Sequence, residues 1–280
     1  MHRSARAPRL LAPSPRRGFL REVALEKAEF EAEADRLLVL AREDGTTLRL
    51  LGAVAFARRC PNHAYLREKL GRRYTDIDFA AYGREAPEIR AMLARAGYQE
   101  DSAVYVNSEG SRLVAEHPGI EMHVDVFLDK LEFCHTVLWK GRLELDPETI
   151  PLAELLLQKM QIVEINEKDL IDAITLLLEF PLGDSDDDTI NIGRIAEICA
   201  KDWGWWRTLT MNLDKVRQMA EHYEQLDEDE TRRVGDQVRA ALERIEEEPK
   251  SMSWRLRAKV GDRKKWYRDV GELVAMPEDL

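Results

Sequence analysis

The chain has 280 residues, 44% of them hydrophobic and 34% charged, with a formal net charge of −11 and a pI near 5.2. That is enough apolar material for one large domain or two small ones, and the acidic balance argues against a general binder of nucleic acid or membrane surface while leaving room for a local basic site. The scattered cysteines Cys60, Cys134 and Cys199 form no C-x-x-C pair, so the reading is a reducing, cytoplasmic setting without disulfides or a zinc site, and no apolar run approaches the roughly 18 residues of a membrane span.

Residues 1–20 are rich in arginine and proline (Arg3, Arg6, Pro8, Arg9, Pro13, Pro15, Arg16, Arg17) and contain no acid. They read as a disordered basic tail. From Arg21 to Glu43 the apolar positions recur at helical spacing, and Glu43-Asp44-Gly45 ends the helix. Thr46 to Leu51 then reads as a strand that runs into Gly52-Ala53, with a helix starting near Val54. A glycine turn between strand and helix lets backbone N–H groups approach a phosphate. Pro61 to Gly71 is polar and basic, a loop or a loop with one helical turn.

Arg73-Tyr74-Thr75-Asp76-Ile77-Asp78-Phe79 follows. Its alternation is that of a strand, with Ile77 and Phe79 turned to a core. Asp76 and Asp78 then stand together on the other face, their Cα atoms roughly 6.5–7 Å apart. Two carboxylates side by side repel, and a divalent cation resolves the repulsion. Glu88 to Ala96 is a short amphipathic helix stopped by Gly97. Val104–Val106 and Arg112–Ala115 read as strands of a hairpin around Asn107-Ser108-Glu109-Gly110. From Ile120 to Phe127 the alternation returns: Ile120, Met122, Val124 and Val126 share one face, and Glu121, His123 and Asp125 the other. Asp125 is thus a third strand-borne carboxylate, and His123 a weaker candidate ligand. A short β segment, Val137 to Leu145, closes this part of the chain.

Past Ile150 the period becomes helical and stays so. Lys159 lies at the edge of one apolar stripe. Asn166 and Asp169 mark the start of the next helix, which carries Asp169 and Asp172 one turn apart. The acids Asp184 to Asp188 fail the calcium-loop pattern, because Thr189 and Ile195 stand where glycine and a bidentate acid belong, and they read as a helix N-cap. Trp203, Trp205 and Trp206 suit a helix junction. The remaining helices break near Asp227, Pro249 and Gly261. Between Trp254 and Arg268 lies the one basic, aromatic-interleaved patch, with a solvated helix face or a phosphate-binding surface as its two readings.

Gly52-Ala53, Arg73-x-x-Asp76-Ile77-Asp78, Asp125, Lys159 and Lys168-Asp169-x-x-Asp172, in that order, resemble the nucleotidyltransferase superfamily that includes polymerase-β-like enzymes. Among its members the likeness is to AbiEii-type toxins and to aminoglycoside- and lincosamide-modifying nucleotidyltransferases. The resemblance implies an α+β chain: a small mixed sheet flanked by helices over residues 21–148, followed by an all-helical half over 149–280. It implies two Mg²⁺ ions held by Asp76, Asp78 and Asp125. With them an NMP would pass from an NTP to a hydroxyl on a small molecule, a tRNA or a protein, with release of pyrophosphate. Lys159 and Arg73 would meet the triphosphate together with the Gly52-Ala53 turn, while Asp169 and Asp172 would orient Lys159 or position the acceptor. An antitoxin protein is the implied macromolecular partner. The superfamily's turn usually carries a second Gly or a Ser. Ala53 supplies no hydroxyl, which keeps open the alternative of a weakly active or inactive nucleotide- or partner-binding module.

Overall fold

A computed structural model describes residues 27–69 and 74–269. The basic tail and Arg73 lie outside the described residues.

The chain begins with α1 (Lys27–Glu43), whose Phe30, Ala34, Leu37, Leu38 and Ala41 form one buried stripe. Then come β1 (Leu48–Leu51), α2 (Gly52–Arg59), α3 (Ala64–Lys69), β2 (Asp76–Ala81) and α4 (Ala86–Arg95). After them run β3 (Gln99–Glu100), α5 (Ser102–Asn107), β4 (Arg112–His117), β5 (Met122–Leu128), β6 (Lys130–Glu132) and β7 (Thr136–Leu138). The five-stranded sheet has the order β1-β2-β5-β4-β3. Only β2 and β5 are parallel, and the other pairings are antiparallel, so the sheet is mixed.

The later half contains α6 (Leu152–Met160), α7 (Glu167–Glu179), β8 (Leu182–Gly183), β9 (Ile190–Asn191), α8 (Ile192–Lys201), α9 (Trp203–His222), α10 (Glu228–Glu247) and α11 (Met252–Ala258). α7 starts where Asn166 caps it, its side chain accepting from the Asp169 N–H at 3.0 Å. α10 starts on a full capping box between Asp227 and Glu230. One continuous cluster of buried side chains extends from Phe30 to Ile245.

Five expectations need correction. Of the β segment expected over 137–145, only Val137 and Leu138 lie in a strand, β7. Residues 104–106 belong to α5 and not to a hairpin strand. Asp101 accepts from the Ala103 N–H at 3.0 Å and caps that helix, and Val106 is left 71% exposed, so the branched residues that suggested a strand mark no buried face. Ile120 is exposed and precedes β5, because Glu121 takes φ 52° in the turn before it. The acids 184–188 lie in the loop between β8 and β9, and the cap of α8 is Asn191, which accepts from Arg194 N–H at 3.0 Å. Asp186 instead holds Arg142, at 2.6 Å. Lastly, the later half is not all helical: β8 and β9 form a short parallel pair.

Candidate active site

The first turn of α2 and the starts of β2 and β5 meet at one point. In β2, Ile77 and Phe79 are fully buried, and Asp76 and Asp78 point to the opposite, half-buried face. In β5, Val124 and Val126 are buried in the same way. The parallel register sets Asp78 directly beside Asp125 and Asp76 beside His123. Residues in register share a face, so the three carboxylates expected from the sequence come together.

Gly52 closes this arrangement from the β1 side. Leu51 pairs with Asp78, and the chain then turns through Gly52 at φ 65° into α2. A Cβ on Gly52 would fall 1.8 Å from Asp78 Oδ2. The glycine is therefore required twice, for its left-handed backbone and for the space that the carboxylate fills. The Gly52 N–H itself is taken, donating to Gln158 Oε1 at 3.1 Å.

Crowding shows in the electrostatics. Burial, then the charges of Asp76 and Asp125, push the Asp78 carboxyl well above the ordinary carboxylate range; Lys159 and Arg112 oppose the shift. Asp125, only 7% exposed, is also raised by burial, although Arg112 works against it. Arg112 reaches across from β4, its Nε donating to both Asp125 carboxylate oxygens at 2.9 Å. The sequence reading missed this arginine, which had been placed only as a strand residue. Its position, at the start of the strand that pairs with the Asp125 strand, was the available signal.

Lys159 stands on α6, its Nζ 2.7 Å from Asp169 and 3.0 Å from Asp172, with the Phe56 ring of α2 5.5 Å away. Asp172 is fully buried and also pairs with Arg67 of α3 at 3.0 Å. Arg67 in turn donates to the Ala53 carbonyl at 2.8 Å. Asp169 and Asp172 thus hold Lys159, and through Arg67 the same cluster reaches the turn that begins α2. Arg67 is the second residue that the sequence reading missed; it lies in α3, within the basic stretch read as a loop or a loop with one helical turn.

The donor set suits a hard divalent cation: carboxylate oxygens on neighbouring strands, two of them raised by burial and, after it, by neighbouring negative charge. As the side chains stand, Arg112 covers Asp125, and among the described residues no three acids, histidines or cysteines are already closed into a metal shell. Among those residues, too, no helix is long and apolar enough to cross a membrane, and Cys60, Cys134 and Cys199 are free thiols in the interior. No protein-family model, curated protein or solved structure matches the chain.

Proposed function

We propose that the protein is a Mg²⁺-dependent nucleotidyltransferase that moves an NMP from an NTP to a hydroxyl acceptor. The observation that carries this reading is the register of β2 on β5, which sets Asp78 beside Asp125 with Asp76 on the same face, behind the Gly52 turn. Divalent cations at this position would supply charge neutralisation on the entering and leaving oxygens of an in-line attack at the α-phosphorus. Asp76 and Asp78 bind on the nucleotide side. Asp125 lies where an acceptor hydroxyl would be held and relieved of its proton. The start of α2, whose N-cap Leu51 offers no side-chain cap, presents backbone N–H groups to a phosphate. Lys159 gives the triphosphate a point charge already aimed by Asp169 and Asp172. Arg112 holds Asp125 in place and would have to release it for that carboxylate to meet a cation.

The test is Mg²⁺-dependent transfer from α-labelled NTPs to a panel of hydroxyl acceptors, with pyrophosphate release measured in parallel. Asp78→Ala and Asp125→Ala are each expected to lower turnover by about 10³-fold or more, in line with loss of a ligand to a catalytic metal. Transfer that survives Asp78→Ala would refute the reading.

A second reading is a non-catalytic nucleotide-binding module. Ala53 brings no hydroxyl, the Gly52 N–H is spent on Gln158, and Asp125 is covered by Arg112. Calorimetry that shows NTP binding with no dependence on Mg²⁺, and no product, would favour it.

A further inference from the structure

An open cleft of about 710 Å³ is lined by β6–β7, by α8 with the start of α9, by Arg257 of α11 and by residues 264–268. Its charge is opposite to that of the molecule. Among the described residues, Arg194, Lys201, Arg257, Lys264, Lys265 and Arg268 line it, against the single acid Asp202, while the chain as a whole carries −11. Asp202 is engaged as the cap of α9, accepting from the Gly204 and Trp205 N–H groups at 2.7 and 3.2 Å.

Most of the positive charge is answered locally: Arg268 pairs with Glu132 at 2.8 Å, Arg194 with Glu154 at 3.4 Å and Lys201 with Glu197 at 3.3 Å, and Lys265 contacts Asp269. Arg257 is different. Its guanidinium donates to the Gly261 carbonyl at 2.7 Å and also to that of Lys264, which orients it without cancelling its charge. The neighbouring acid Asp262 is already paired with Arg207 at 3.0 Å. Among the described residues no ion pair is formed by Arg257 or Lys264.

Aromatic rings are set into the same wall. Trp266 is pinned by its Nε1–H, which donates to Thr208 Oγ1 at 2.9 Å, and is braced edge-on by Trp203 and Tyr267. The half-exposed Tyr267 carries Lys265 over its ring at 4.9 Å. Fixed aromatic faces interleaved with cations suit a ligand that alternates planar bases with phosphates.

We propose that this cleft binds single-stranded nucleic acid, phosphates on Arg257 and Lys264 and a base against Tyr267 and Trp266. The proposal does not rest on the nucleotidyltransferase reading; Asp76, Asp78 and Asp125 are not among the residues that line the cleft.

Fluorescence anisotropy on the full chain with labelled oligonucleotides of about twelve nucleotides, RNA and DNA in separate arms, is the test. Saturable binding is expected. Lys264→Glu should weaken it at least tenfold, and Lys264→Ala should reduce the slope of log K on log salt by about 0.7. Tyr267→Ala should cost about tenfold with the salt slope unchanged, as loss of one stacked base does. Arg255→Glu with Lys259→Glu, exposed positions on α11 and at its C-cap that do not line the cleft, should change binding less than twofold. Circular dichroism and thermal melts keep the variants comparable. Absence of binding in both arms overturns the proposal. So does equal weakening by the α11 pair, or inorganic polyphosphate competing as well per phosphate as the oligonucleotide, since either would leave charge alone at work.

Discussion

Gly52 and Asp78 define each other's shape. The turn has φ 65°, and a methyl group there would overlap the Asp78 carboxylate. Gly52→Ala therefore combines a left-handed alanine with a displaced acid and should destabilise the fold by about 1–3 kcal/mol in urea titrations. Asp78→Ala removes the two atoms that the methyl would overlap, at 1.8 and 2.8 Å, and keeps the Cβ at 3.1 Å. In the double variant the backbone penalty and one close contact remain, so a double-mutant cycle should return a coupling of about 1 kcal/mol or more. Additive costs would mean that Asp78 does not fill the space over Gly52. Transfer activity should be lost in both single variants.

At the scale of elements, α3, α6 and α7 are clamped by one buried carboxylate. Asp172 receives Arg67 from α3 and Lys159 from α6, and none of its side chain is exposed. Such a cluster is no great gain over apolar packing, but opening it strands charge in the interior. Asp172→Asn should cost about 3–5 kcal/mol by chemical denaturation. Asp172→Leu combined with Arg67→Met should recover most of that, because Lys159 keeps Asp169. The recovered protein should remain impaired in nucleotide binding, since Arg67 also holds the Ala53 carbonyl. A loss below about 1 kcal/mol for the single variant would show that the clamp is dispensable.

For the molecule as a whole, one histidine ties stability to pH. His135 is 5% exposed, packed on Trp205 with ring centroids 4.9 Å apart, and its Nε2 lies 2.8 Å from Thr208 Oγ1. Burial, aided by the nearby Arg268 and opposed by Asp202, lowers its pKa from 6.5 to about 4. The unfolded chain therefore takes up this proton before the folded one does. The contribution is complete above pH 6.5 and declines as pH falls toward about 4, a loss of order 3 kcal/mol in all. His135→Gln should flatten the stability profile across that window relative to the parent. Profiles that stay parallel would place the acid sensitivity elsewhere. The same ring forms part of the wall of the basic cleft, so the charge of that cleft is carried by its lysines and arginines at neutral pH.

Alternation alone picked out Ile77, Phe79, Val124 and Val126 as buried and Asp76, Asp78 and Asp125 as their opposite face, because the two-residue period of a strand is written in the order of side chains. The helix start at Asn166 was legible for a similar reason: a cap satisfies N–H groups only two or three residues away; near Asp227 the sequence showed a break, and the capping box there came from the structure. The segment 104–106 misled, since six residues are too few for a period to declare itself and the deciding cap at Asp101 lay outside the pattern. What the order of residues left open is which strands lie side by side. The parallel placement of β5 on β2, the reach of Arg112 to Asp125, and the meeting of Arg67, Lys159 and Asp172 all join residues far apart in the chain. Those contacts are set by how the sheet and helices bury their apolar faces together. Local sequence thus specified which side chains share a face, and only tertiary packing decided which faces meet.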